Sequence, residues 1–125
     1  MITRNKEKLA TLLYLITEII SKDDSNIIFA ATKYHVDLIS LVFTSFNIHN
    51  VGIYGSMDMG IRKDMIMEFK KNNNCKTMVV TDLAARGIDL PFVNNIIHFD
   101  FPSQAKTFIH RSGRTARAGR DVKFN

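Results

Sequence analysis

Short apolar runs alternate with helical repeats of apolar residues along the whole chain, and that alternation leaves few folds open. Leu9, Leu12, Leu13, Ile16, Ile19 and Ile20 recur at helical spacing, which predicts an amphipathic helix from about Asn5 to Ser21. Lys22-Asp23-Asp24-Ser25 is a polar turn, and Asn26 to Ala31 reads as a short buried strand. Thr32 is placed to cap a second helix with Val36, Ile39, Phe43 and Phe46 on its inner face. Ile48 to Tyr54 is a second strand. Gly55-Ser56 turns into a third helix whose apolar positions are Ile61, Met65 and Phe69, ended by Lys71-Asn72-Asn73-Asn74. Thr77 to Thr81 and Asn95 to Phe99 complete the strands, and a short helix covers about Ser103 to Arg111.

Strands separated by helices cannot pair as hairpins. They predict an α/β fold, a parallel sheet with helices on both faces. Ligands in such folds bind outside the carboxyl ends of the strands. Thr32, Tyr54-Gly55, Thr81-Asp82 and Asp100 all follow expected strands, so they should converge on one edge.

A second feature lies close to the C-terminal end of that pattern. His110-Arg111-Ser112-Gly113-Arg114-Thr115-Ala116-Arg117-Ala118-Gly119-Arg120 carries four arginines, of which Arg111, Arg114 and Arg117 recur every third residue. In a helical or turn-rich backbone these three fall near one face. Guanidinium is planar, permanently charged and suited to bidentate phosphate contacts. A solvated basic face is the plainer meaning of a charge run; the spacing, the glycines and the lack of lysine favour a phosphate clamp.

Composition narrows the partners. Seventeen basic against twelve acidic residues give a formal charge of +5, which leans modestly towards a polyanion. Cys75 is the only cysteine, so an internal disulfide and a cysteine-based metal site are excluded. The four histidines lack metal-ligand spacing, which argues against zinc. No apolar run reaches membrane-spanning length and no signal-peptide pattern is present. The 125 residues suit one domain, and no internal repeat or low-complexity segment interrupts it.

The arginine string resembles motif VI of the DEAD-box RNA helicases, whose pattern begins His-Arg-x-Gly-Arg-x-x-Arg. Val79-Val80-Thr81-Asp82-Leu83-Ala84-Ala85-Arg86-Gly87-Ile88-Asp89-Leu90-Pro91 is similar to motif V, and Ile27-Ile28-Phe29-Ala30-Ala31-Thr32 to motif IV. The three stand in the family's order from about Lys8 to Arg120. The leading His110 favours DEAD-box proteins over DEAH relatives, which usually carry glutamine there. The resemblance implies a RecA-like fold, the second of the two RecA-like core domains of an ATP-dependent RNA helicase. The family continues past motif VI into a further strand and helix, so the domain is expected to be trimmed there, with Val122-Lys123-Phe124 beginning that strand.

What the resemblance implies for single residues follows motif by motif. Arg114 and Arg117 would act as catalytic arginine fingers on the ATP triphosphate held, with Mg²⁺, mainly by the N-terminal domain. Asp89 would accept from the ATP ribose, and Gly87 would let the backbone approach the nucleotide. His110 and Arg111 would contact the N-terminal domain and couple closure to nucleotide state. Thr32, Gly55, Arg62, Thr81 and Asp82 would line the RNA groove, mostly against backbone phosphate. Met59 stands where the family usually has glutamine, and Ala116 where glycine is common.

Each of these residues also has a plainer role. Thr32 suits a helix cap, Asp82 and Asp89 suit turns or caps, and Arg86 can pair with either aspartate. His110 could be a hydrogen-bonded structural histidine, and Met57, Met59, Met65 and Met67 suit packing. The chain has neither a Gly-rich Lys-Ser/Thr phosphate loop nor an Asp-Glu-Ala-Asp box, so alone it is expected to be catalytically silent. The expected partners are RNA and the N-terminal RecA-like domain, with no membrane and a monomeric isolated domain. The alternative is a non-catalytic RNA-binding or scaffold module that kept the fold. Ala-Ala-Thr-Lys-x-His and Ile-Tyr-Gly-Ser are similar to a nucleolar ribosome-assembly subgroup, which implies an intracellular, nuclear or nucleolar setting.

Overall fold

The computed structural model describes residues 2–71, 74–88, 90–101, 104–113 and 115–123, the last stretch as backbone. Five strands form one sheet in the order β2-β3-β1-β4-β5, and every neighbouring pair is parallel. They are β1 (Asn26–Ala30), β2 (Asn50–Ile53), β3 (Thr77–Thr81), β4 (Val93–His98) and β5 (Thr115–Lys123). The helices are α1 (Ile2–Tyr14), α2 (Lys33–Ser45), α3 (Met59–Lys71), α4 (Asp82–Arg86) and α5 (Ala105–Ser112), with a π-helical turn over Leu15–Ile19.

Alternation along β1 decides the two cores. Ile27 and Phe29 pack with Met78, Val80 and Ile96 against Ile66 and Phe69 of α3. Ile28 and Ala30 pack with Val79 and Ile97 against Leu12 of α1 and Val36, Ile39 and Phe43 of α2. Both faces of β1 and β3 are therefore buried along their full length, as an all-parallel sheet requires. Gly52 in β2 lets α2 lie close, because a Cβ there would come within 3.1 Å of Val36 Cγ1. Cys75 is 1% exposed, and burial pushes its thiol pKa up, against a lowering by the Thr77 carbonyl region.

Three helical expectations are corrected. The first helix does not run evenly to Ser21. Ile20 N donates to Leu15 O at 2.8 Å, an i to i−5 bond that adds a residue to the turn. The apolar spacing slips by one position, so Ile20 is buried while Ile19 is 55% exposed. In α2, Phe46 is not on the inner face. Asn47 takes φ 60°, Asn47 N bonds Thr44 O, and Ile48 N bonds Phe43 O. This left-handed cap ends the helix before Phe46 can turn inward. In α3 the buried pair is Ile66 and Phe69, and Ile61 at the first turn is exposed. The short helix α4 falls within the motif V segment, where no helix is expected from periodicity.

Candidate functional site

The carboxyl ends of β1, β3 and β4 carry two linked polar networks. The first is centred on Arg111, which α5 sends inward to 2% exposure. Its Nε donates to Asp82 Oδ1 at 2.7 Å and its Nη2 to Asp82 Oδ2 at 2.5 Å, a bidentate pair. Nη1 donates to the Asp100 carbonyl at 2.8 Å and lies 3.1 Å from His98 Nδ1. The guanidinium stacks over the Phe29 ring at 4.9 Å. A buried charge is tolerated when it is paired and its donors are met, and here they are.

The second network is centred on the Asp100 carboxylate, just beyond β4. Oδ2 accepts from Ala31 N at 2.7 Å and from His35 Nδ1 at 2.8 Å, and Oδ1 accepts from Lys8 Nζ at 3.0 Å. Burial alone would raise the Asp100 pKa. Donation from Ala31 N, Lys8 and His35 outweighs it and holds the carboxyl below its ordinary value. The Phe99 ring closes one side, with Lys8 Nζ 4.4 Å from its centroid and His35 packed edge-on at 5.7 Å.

The expected site residues fall into distinct settings around these networks. Thr32 is exposed, and its Oγ1 accepts from His35 N as the cap of α2. Thr81 is 6% exposed and its Oγ1 caps α4 by accepting from Ala84 N. Asp82 has its carboxylate taken by Arg111 rather than by Arg86. Arg111, expected with His110 at a contact with the N-terminal domain, is instead enclosed by its own domain, while His110 is exposed. Gly55 leaves the β2–α3 turn close to α4, since a Cβ there would sit 3.0 Å from Leu83 Cδ2.

Arg62 reaches from α3 to the end of α4. Its Nη1 lies 3.7 Å from where a Cβ on Gly87 would stand, and its Nε is buried with no partner among the described residues. Gly87 itself has φ −92°, so it serves by lack of bulk rather than by left-handed backbone. Asp89 and Arg114 lie outside the described residues, and Arg117 is placed only as backbone within β5. The motif VI segment thus leaves α5 at Ser112 and continues as an extended strand from Thr115, so Arg111 and Arg117 do not belong to one continuous helix.

Sequence reasoning passed over Lys8, His35 and His98 as site residues. Their partners are 92, 65 and 13 positions away, so no local pattern signals them. The one available cue was Asp100, a charged residue directly following a strand. Among the described residues no group of three or more His, Cys, Asp or Glu could hold a metal ion, and no helix is long and apolar enough to cross a membrane. A cleft of about 460 Å³ lined by Ile16, Lys22, Asn47 and Lys76 lies at the amino ends of the strands, and none of the expected site residues lines it.

Comparison with known proteins agrees with this geometry. The family described as helicase conserved C-terminal domain matches residues 7–119. The putative DEAD-box ATP-dependent RNA helicase 29 of Arabidopsis thaliana is 47% identical over 119 residues, covering 94% of this chain. The ATP-dependent RNA helicase DDX54 of Mus musculus is 39% identical over 120 residues, covering 96% of it. The chain spans 14% of the length of each of these relatives. Among solved structures, the DEAD-box protein SrmB of E. coli, bound to regulator of ribonuclease activity A, superimposes with a TM-score of 0.85 at 31% identity. That match covers 95% of this chain and 70% of the SrmB chain in that structure. The C-terminal domain of the DEAD-box protein Dbp5 gives 0.82 at 29% identity, covering 96% and 70%. With the matched span running through both polar networks, the chain belongs to the helicase conserved C-terminal domain family, as a RecA-like domain of the DEAD-box RNA helicases.

Proposed function

We propose that this domain is the C-terminal half of an ATP-dependent RNA helicase core and works by closing against an N-terminal RecA-like domain over ATP and RNA. Arg114 and Arg117 serve as the arginine fingers, Asp89 and Gly87 meet the nucleotide, and His110 faces the N-terminal domain. Thr32, Gly55, Arg62, Thr81 and Asp82 form this domain's side of the RNA groove. ATP, when bound, supplies the phosphoryl group whose hydrolysis drives local strand separation, and Mg²⁺ belongs mainly to the N-terminal domain. The residues of this chain orient and neutralise.

The observation that carries the reading is Arg62. A guanidinium packed against Gly87, with an enclosed Nε that no described acceptor meets, is a costly arrangement until an anion arrives. It stands on the same edge as Thr32 and Thr81, where a phosphate backbone would run. The exposed Thr32 turn and the RNA helicase relatives support RNA as that polyanion. Phosphate and 2′-hydroxyl contacts would give little sequence preference. The cellular setting we propose is intracellular, in the nucleus or nucleolus, on the similarity of the Ala31-Thr32-Lys33 and Tyr54-Gly55-Ser56 segments to a ribosome-assembly subgroup.

The test is RNA-stimulated ATPase. A protein holding both RecA-like domains should hydrolyse ATP in an RNA-dependent way, and the purified 125-residue chain should show none. Turnover by the single domain, with contaminants excluded, would overturn the two-domain reading. A two-domain protein that binds RNA yet never hydrolyses ATP would favour a scaffold.

A further inference from the structure

Asp100 serves two parts of the carboxyl edge with different atoms. Its carboxylate fixes the β1–α2 turn, through Ala31 N and the His35 ring. His35 N in turn closes the Thr32 cap. Its main chain fixes the motif VI side, because the carbonyl accepts from Arg111 Nη1. The residue is itself seated on β1 by Asp100 N donating to Phe29 O at 3.3 Å. Arg111 then passes the connection to Asp82, the first residue of α4.

We propose that Asp100 is a positioning residue that couples the RNA-facing Thr32 turn to the Arg111 clamp from which the motif VI arginines extend. The inference rests on the RNA reading of that turn given above. Coupling needs a physical element that both sites bias. Here it is a partly buried carboxylate with three donors from three elements: α1, the β1–α2 turn and α2. The His35 ring must carry its proton on Nδ1 to donate to it, and Phe99 shields the pair. A phosphate drawn to the Thr32 turn shifts Ala31 and His35. That shift reaches Arg111 because the same residue's carbonyl holds Nη1. The division between side chain and main chain makes the idea separable. Replacing the side chain loosens the RNA turn and leaves the carbonyl bond to Arg111 in place.

The experiment uses the two-domain protein and reads ATPase rate against RNA concentration and against ATP concentration. Asp100→Asn keeps the shape but loses the charge that faces Lys8 and His35. The RNA concentration for half-maximal stimulation should rise roughly 5–150-fold, the range of a typical coupling. Because coupling is reciprocal, the ATP requirement at saturating RNA should rise with it, while the rate with both RNA and ATP saturating should change far less. His35→Ala should move the same quantity in the same direction by less, and His35→Asn, whose amide nitrogen can take the place of Nδ1, should restore part of it. These partly exposed His35 variants decide the matter if Asp100→Asn does not fold. An unchanged RNA dependence, or a parallel fall in rate with both RNA and ATP saturating for all three variants, refutes the coupling. Arg62→Ala is the control. If it raises the RNA requirement and the Asp100 and His35 variants do not, only the coupling fails; if it too is without effect, the RNA reading of the edge fails.

Discussion

Arg111 and Arg62 stand on the same edge of the sheet and are treated in opposite ways. Arg111 has its guanidinium saturated by Asp82, the Asp100 carbonyl and the His98 ring, and it is almost wholly enclosed. Arg62 is only half-buried, leans on Gly87 and has an Nε that no described residue meets. Motif spacing cannot tell such arginines apart, since both occupy patterned positions. What separates them is the supply of acceptors. Where the protein provides its own carboxylate, the arginine organises the domain; where no described acceptor is supplied, as at Arg62 Nε, the arginine is the one proposed above to meet an anion.

The contrast can be broken most sharply at a third arginine. In the two-domain protein, Arg117→Ala should lower kcat by roughly 10³–10⁵-fold if it is a finger on the transferring phosphoryl group. ATP binding should change less, because the charge it stabilises develops mainly in the transition state. Steady-state kinetics with RNA saturating gives the answer, and unchanged turnover would refute the finger role of Arg117.

Arg111→Ala should act on the fold before it acts on the chemistry. Removing one member of a buried ion pair costs about 3–5 kcal/mol. Urea denaturation should therefore show a much lower midpoint than for Arg62→Ala, whose loss relieves an unmet donor. Equal stability of the two variants would erase the distinction drawn between them.

Arg62→Ala should weaken RNA binding by about 1.5 kcal/mol, the lower range for a hydrogen bond to a charged group. The loss should be the same for two unrelated single strands, and the slope of log K against log salt should become shallower by roughly 0.7. Loss on one sequence alone would show that Arg62 reads a base.

The smallest effect concerns Asp100. Its folded carboxyl lies below the ordinary value, so the carboxylate stabilises the fold above the unfolded pKa and that contribution fades as pH falls through the folded one. Denaturation of wild type and Asp100→Asn should differ above the ordinary carboxylate range and converge as pH falls below it. A gap that widens in acid would contradict the sign.

The layered fold was legible because helix and strand periods report directly on buried faces: Ile27 and Phe29 alternate with Ile28 and Ala30 in any reading of β1. Thr77–Thr81 was read with its observed boundaries, since every position there is apolar or a small buried threonine. Periodicity failed where a local hydrogen bond outranked it, as at the π turn before Ile20 and the left-handed Asn47. The edge was legible as a place, because Thr32, Gly55, Thr81 and Asp82 each follow a strand. Which partner each one finds was not. The ties of Asp82 to Arg111 and of Asp100 to Lys8 join positions 29 and 92 residues apart, and only the folded chain brings them together.

Cys75 has a practical corollary. Its thiol is walled off beside Thr77 and held in the protonated, weakly nucleophilic form by its surroundings. Oxidants and maleimides would pass it by while the domain stays folded. A fluorophore attached through a cysteine introduced near the Thr32 turn would thus report from that spot alone, and alkylation of the native thiol would itself signal that the sheet had opened.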